Sequence, residues 1–156
     1  MEITELRDNK KQYLELLLLA DEQEDMIDRY LEKGKMYILT EENAVKAECV
    51  VTDEGGGVLE IKNIAVKPEF QGKGYGKAMI SFIEEKYREN FSILQAGTGD
   101  SPLTIPFYEN CGFSRSHIIK DFFVDNYEKP IFECGVRLRD MVYLRKKLRV
   151  EIHSVE

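Results

Sequence analysis

The sequence contains few residues of the kinds that build metal centres and disulfide frameworks. Its three cysteines, Cys49, Cys111 and Cys134, are odd in number and far apart, so their spacing fits neither paired disulfides nor a zinc site. Its two histidines, His117 and His153, are too few for a histidine-rich metal centre. We therefore expect no metal ion and a reducing compartment, the cytoplasm.

Long apolar runs and an excess of positive charge are also missing. The longest apolar run, residues 16–20, is far shorter than the ~18 residues of a membrane span. The first ten residues lack the apolar core of a signal peptide. The formal net charge of −7 argues against nucleic acid, which binds basic surfaces. We expect neither a membrane nor nucleic acid as a partner, and a surface that tolerates cationic molecules.

The remaining composition is that of a globular protein. Apolar residues make up 43% and charged residues 33% of the chain, which is typical of folded proteins rather than disordered ones. A chain of 156 residues can bury a core of its own and fits one domain, which we assign to 1–156. No internal repeat, low-complexity tract or interdomain linker divides it.

Hydrophobic spacing predicts a mixed α/β domain built around one sheet. Its order is two helices, three strands, a helix, a strand, a helix and two strands. The predicted helices are 8–19, a second one that follows a capping box of Asp21 and Glu24 and ends at Gly34, 75–87, and one that starts at Ser101 and ends at Gly112. The predicted strands are 36–40, 45–51, 58–66, 92–96, 113–124 and 136–144.

Three glycines lie between a predicted strand and an amphipathic helix, in the segment FQGKGYGKAM (70–79). The first amides of a helix have no internal partners, and the helix dipole adds about half a positive charge there. Glycines let oxygen atoms approach those amides. Lys73 and Lys77 add positive charge, so the segment predicts an anion site suited to pyrophosphate. The spacing matches neither a P-loop nor a dinucleotide fingerprint, and a glycine-rich helix start with solvated lysines is the alternative.

A longer stretch, residues 60–85, resembles the GCN5-related N-acetyltransferase (GNAT) superfamily. Its signature, Q/R-x-x-G-x-G/A, is matched by QGKGYG (71–76), and its F-Y-x-x-x-G-F segment is matched by FYENCGF (107–113). The resemblance covers nearly the whole chain and implies a small, stand-alone, bacterial-type member. It implies a single GNAT-like α/β domain with a mixed, mostly antiparallel sheet of about six to seven strands and about four helices.

By this resemblance the acetyl donor is acetyl-CoA. Its pyrophosphate would lie on the glycine-rich segment and its pantetheine arm along the backbone of the preceding strand. The implied cofactor-binding residues are Ile64, Ala65, Val66, Gln71, Gly72, Lys73, Gly74, Tyr75, Gly76, Lys77, Thr98 and Ser101. The family often has asparagine where this chain has Ser101, so either the hydroxyls of Thr98 and Ser101 replace its contact or the contact is absent.

The resemblance also implies catalytic residues for direct attack by a primary amine in a ternary complex. Tyr108 matches the family's general acid; an aromatic side chain packed in a short helix is the alternative. Glu60 stands where the histone-acetylating members have a catalytic glutamate, and would act as base. Its alternative is a strand carboxylate paired with Lys62, and many relatives release the amine's proton to solvent.

The sequence indicates the acceptor amine less clearly than the acetyl donor. Acidic residues outnumber basic ones in the early helices and strands, which favours a cationic acceptor, although solvated helix faces explain the same charges. Tyr127 and Glu133 are candidates for lining its site. The alternative function is a non-catalytic acetyl-CoA-binding sensor or assembly module, and the chain would be a monomer or a homodimer.

Overall fold

The computed structural model describes residues 1–148. The strands are β1 (Glu2–Leu6), β2 (Lys35–Glu41), β3 (Ala44–Asp53), β4 (Val58–Val66), β5 (Ile93–Gly99), β6 (Ser114–Ile119), β7 (Phe132–Glu133), β8 (Val136–Arg137) and β9 (Met141–Lys147). Seven of them form one sheet in the order β1-β2-β3-β4-β5-β9-β6, and β7 and β8 pair with each other. The helices are α1 (Leu14–Ala20), α2 (Glu24–Asp28), α3 (Tyr75–Tyr87), α4 (Ile105–Asn110) and α5 (Phe122–Asn126). The predicted mixed, mostly antiparallel sheet of an α/β fold is confirmed, with five helices where about four were expected.

The only parallel neighbours in the described sheet are β4 and β5, which α3 connects, as a parallel pair requires a crossover. Their ladder runs from Val58 opposite Ile93 to Ile61 opposite Ala96. Both strands continue beyond it, so backbone groups on their facing edges have no ladder partner there. This separation opens the sheet at its middle.

A β-bulge in β4 decides which way its polar side chains face. Val50 of β3 pairs with Asn63, and the neighbouring Val51 pairs with Ile61, which leaves Lys62 as an extra residue. Asn63 therefore shares a face with Val50 and lies on the α1 side of the sheet. Without the bulge, strand alternation would turn Asn63 toward α3.

Each face of the sheet carries its own core. On one face, Met79, Ile80 and Ile83 of α3 pack with strand residues such as Leu59 and Leu94. On the other face, α1, α2 and the turn after α2 pack on β2 and β3 through the residues Leu17, Ile27, Tyr30, Leu31, Met36, Ile38 and Val50. Within residues 1–148 no helix has the length and apolar character needed to cross a membrane.

The N-terminal predictions need correction. The strand β1 was not predicted, and the predicted helix 8–19 is a 3-10 turn, Lys10–Tyr13, followed by α1. The Asp21 capping box is wrong, because Gln23 occupies the N-cap position of α2 and Asp21 is extended. Gly34 was expected as the C-terminal cap of the second helix, but α2 ends at Asp28. A Cβ at Gly34 would lie 2.8 Å from the Val50 side chain, so close packing requires glycine.

The predictions for the second half also differ in detail. The helix expected from Ser101 begins only at Ile105, which puts Pro106 in the first turn, where its missing amide costs no hydrogen bond. The predicted strand 113–124 covers β6 and the first three residues of the unpredicted α5, and the predicted strand 136–144 covers β8 and the first four residues of β9. These short elements lack a periodic signal of their own.

Candidate active site

A cavity of about 650 Å³ lies where β4 and β5 separate. Its walls come from the ends of these two strands, the glycine-rich segment, the start of α3, α4, the α1–α2 connection and the segment from α5 to β9. The sheet topology thus brings the two motif segments of the sequence to one opening.

One end of the cavity is built from the glycine-rich segment. Gly74 is the N-cap of α3 and has φ 88°, and Gly72 has φ 76°, conformations that L side chains adopt at a cost. Gly76 has a different requirement, since a Cβ there would lie 3.1 Å from the Phe107 ring. With Lys77 in the lining, this end combines bare helix-start amides and a cation, as an anion site needs.

Most of the predicted cofactor-binding residues line this cavity. They are Ile64, Ala65, Val66, Gln71, Gly72, Gly74, Tyr75, Gly76, Lys77 and Thr98. Lys73 and Ser101 are not in its lining. Lys73 is exposed beside the Phe70 ring, and the buried Ser101 hydroxyl accepts a hydrogen bond from the Leu103 amide at 3.1 Å. Ser101 thus serves the turn before α4.

Tyr108 lies in the cavity wall with only 6% of its surface exposed. Its ring makes edge contacts with Phe107 and Phe113, with ring centroids 5.3 and 5.4 Å away. Burial is the main reason that the pKa of its phenol is raised. An unperturbed phenol is already protonated at neutral pH, so a neutral tyrosine lies in the cavity wall.

Glu60 is placed differently. It is buried at the paired part of β4 and does not line the cavity. Its Oε2 accepts from Lys62 Nζ at 2.8 Å, and its Oε1 accepts from Gln95 Nε2 at 2.6 Å. The ion pair with Lys62, weighed as the alternative reading, is thus present, and the role of Glu60 as base stays a prediction.

Three lining residues, Asp21, Asn63 and Tyr127, belong to a hydrogen-bonded group that the sequence did not reveal. The Tyr30 and Tyr127 hydroxyls donate to the Asp21 carboxylate at 3.1 and 2.7 Å. Tyr30 also accepts from Asn63 Nδ2 at 3.0 Å. Burial raises the pKa of the Asp21 carboxyl, while the two phenol donors oppose that shift. Glu133 lines the same cavity, as expected for it and for Tyr127.

Comparisons with known proteins bear on this arrangement. A family model described as an acetyltransferase (GNAT) domain matches residues 32–115. An uncharacterized N-acetyltransferase of Bacillus subtilis, YvbK, is 38% identical over 132 residues, which cover 83% of this chain and 85% of that protein.

Solved structures of similar proteins agree over nearly the whole chain. A GNAT family acetyltransferase from Elizabethkingia anophelis with acetyl-CoA bound has a TM-score of 0.88 and 33% identity, covering 94% of this chain and 97% of that one. A Bacillus subtilis acetyltransferase in complex with CoA has a TM-score of 0.85 and 34% identity, with the same two coverages.

Proposed function

The chain belongs to the GNAT acetyltransferase family, as its two motifs predicted, and we propose that it transfers the acetyl group of acetyl-CoA to a primary amine. The observation that carries this proposal is the cavity between the separated ends of β4 and β5, with the glycine-rich start of α3 and the Tyr108 phenol in its wall. The acetyl-CoA and CoA complexes of two similar proteins support the choice of donor.

The residues present fit such a donor. The amides of the segment 71–76 would hold the pyrophosphate, since Gly72 and Gly74 present no Cβ toward open space. The β4 backbone at Ile64, Ala65 and Val66, which has no ladder partner on the β5 side, would hydrogen-bond the pantetheine arm. An amide there would also stabilise the oxyanion that develops at the thioester carbonyl. Acetyl-CoA supplies the activated acetyl group. The chain would hold the donor in place and donate a proton to the leaving sulfur.

Tyr108 is the proposed general acid. As the amine nitrogen bonds to the acetyl carbon and the C–S bond breaks, its phenolic proton passes to the sulfur. A tyrosine phenol carries its proton at neutral pH, and burial, which raises its pKa, does not change that. The amine loses its own proton to solvent in the open cavity, or to Glu60 if that carboxylate gives up its pairing with Lys62.

The donor is tested by thermal unfolding with acetyl-CoA, CoA, ATP and NAD in parallel. A ligand at about 100 times its Kd stabilises the native state by about 2.7 kcal/mol. We expect acetyl-CoA and CoA to raise Tm, and ATP and NAD to leave it unchanged. A chain that responds to ATP or NAD instead would contradict the proposed donor.

The catalytic role is tested by the Tyr108→Phe variant in an assay for amine-dependent thiol release. We expect kcat to fall by about 10²–10⁴-fold, while the Tm rise with acetyl-CoA is retained because the ring packing is unchanged. Tyr13→Phe, which removes a hydroxyl outside the cavity lining, is the matched control. Acetyl-CoA binding without turnover of any amine would favour a non-catalytic module.

A further inference from the structure

We propose that Asp21, Asn63 and Glu133, which all line the cavity, bind a second, non-reacting cationic group of the acceptor, which makes α,ω-diamines and longer polyamines the favoured acceptor class. This inference rests on the proposed acetyl transfer. It specifies what the acceptor must carry besides the amine that is acetylated.

The Asp21 carboxylate is oriented for a ligand by two distant parts of the chain. Tyr30 follows α2 and Tyr127 follows α5, and each donates to a different Asp21 oxygen. A carboxylate oxygen accepts more than one hydrogen bond, so both can still accept from a ligand. In residues 1–148 no lysine or arginine forms an ion pair with Asp21, and its charge has no cationic partner there.

Asn63 is an independent indication of a donor ligand. Only 3% of its surface is exposed, and it lines the cavity. Its Nδ2 donates to the Leu17 carbonyl at 3.0 Å; because a carbonyl can only accept, this bond sets the orientation of the amide. Its Oδ1 is buried and has no hydrogen-bond partner in the described structure. An unpaired buried acceptor is costly, and an ammonium group brings three donors.

Glu133 adds a second carboxylate from the short β7 strand. It lines the cavity, and its Oε2 is buried without a hydrogen-bond partner among the described residues. Lys62 is in the lining too, but its charge is matched by Glu60 at 2.8 Å. The stacked rings of Phe123 and Tyr127, 5.4 Å apart, also line this region and offer surface to methylene groups. The lining thus contains two carboxylates, Asp21 and Glu133, without a lysine or arginine ion-pair partner among residues 1–148.

The same carboxylates cannot favour the amine that reacts. A nearby anion stabilises an ammonium and raises its pKa, whereas the attacking amine must be neutral. Asp21 and Glu133 would therefore hold a cation that stays protonated throughout the reaction. A second amine on the same molecule, separated by a flexible spacer, satisfies both requirements. An acceptor with a carboxylate at that position would be repelled.

Three acceptors with five carbons each test this charge requirement: 1,5-diaminopentane, pentylamine and 5-aminopentanoate, which end in a cation, a methyl group and an anion. Diamines of three to six carbons vary the spacing. We expect kcat/KM to be at least tenfold higher for the best diamine than for the matched monoamine, mainly through KM, and lowest for the amino acid.

Two charge-removing variants locate the preference. In Asp21→Asn and Glu133→Gln the diamine-to-monoamine ratio of kcat/KM should fall toward one. Asp25→Asn removes the same charge from the exposed start of α2, outside the cavity lining, and should keep the wild-type ratio. Glu133 lies on a two-residue strand. If Asp21→Asn does not fold, the diamine-to-monoamine ratio of Glu133→Gln tests the site instead.

The outcomes separate this inference from the function on which it rests. Equal use of monoamines and diamines at every length, or an unchanged ratio in both variants, would overturn the diamine site but leave Tyr108-dependent acetyl transfer intact. If no amine is turned over, Tm is measured with saturating CoA and each diamine. A rise in the wild type that Asp21→Asn loses supports the site, and no rise overturns it.

Discussion

At the scale of single residues, the partners of a side chain decide its role more than its position along the chain. Glu60 and Asp21 are both acidic residues near the cavity. Both oxygens of Glu60 are occupied by Lys62 and Gln95, whereas Asp21 lines the cavity and accepts from two phenols and the Gln23 backbone, with no cation among its hydrogen-bond partners in residues 1–148. The family resemblance indicated Glu60 as a candidate base, whereas the structure indicates Asp21 as a candidate ligand-binding carboxylate.

Glu60→Gln tests the structural reading of this carboxylate. We expect kcat to change by less than about threefold at every pH. We expect the free energy of unfolding to fall by about 1–3 kcal/mol, because charge-assisted hydrogen bonds are lost. The measurements are kcat against pH and thermal unfolding. Glu85→Gln, at an exposed carboxylate on α3, is the control for stability. A loss of kcat of a hundredfold or more, with a changed pH profile, would assign Glu60 the role of base.

At the scale of elements, local signals predicted the long segments well and the short ones badly. The apolar spacing of 75–87 coincides with α3, and 58–66 coincides with β4, because each carries enough periodic residues to specify its own conformation. The helices α2 and α5 span five residues each. An isolated helix of that length is unstable. Tertiary contacts therefore stabilise α2 and α5, and no local sequence pattern predicts them.

Gly74→Ala tests the glycine-rich element. No atom lies within 4 Å of the added Cβ, so the cost comes from the φ of 88° alone, about 1–2 kcal/mol. We expect a lower Tm and weaker stabilisation by acetyl-CoA, since the helix-start amides shift.

Gly55→Ala is the matched control, because Gly55 also has a positive φ of 83° and open space around its Cβ, but lies in the β3–β4 turn. It should lower Tm by a similar amount and leave the acetyl-CoA response intact. Equal responses to acetyl-CoA in both variants would show that the segment is only a helix start.

At the scale of the whole molecule, one buried carboxyl affects stability without lying in the cavity wall. Glu48 of β3 is fully buried, and neither carboxyl oxygen has a hydrogen-bond partner in the described structure. Burial raises its pKa well above the ordinary value, so the folded chain keeps a proton that the unfolded chain releases at about pH 4.3. Folding stability contributed by this group is therefore complete below that pH and is lost as pH rises toward the folded pKa.

Glu48→Gln is expected to raise Tm at neutral pH and to flatten the dependence of stability on pH. In the wild type this carboxyl alone contributes a decline of about 1.4 kcal/mol per pH unit above its unfolded pKa. Unfolding of both proteins between about pH 5 and pH 8 measures the difference, with the exposed Glu69→Gln as control. Parallel pH profiles for wild type and Glu48→Gln would mean that Glu48 ionises in the folded state.

The sequence by itself determined the family, the α/β fold, the glycine-rich segment at the start of α3 and the position of Tyr108 in a short helix after β5, because these depend on residues close together along the chain. Only the tertiary structure decided the hydrogen-bonded group around Asp21 in the cavity lining. Asp21 comes from the α1–α2 connection, Tyr127 from the segment after α5, and Asn63 faces them because a bulge in β4 reverses its side. Such convergence depends on strand register and on packing between distant segments, which no local pattern encodes.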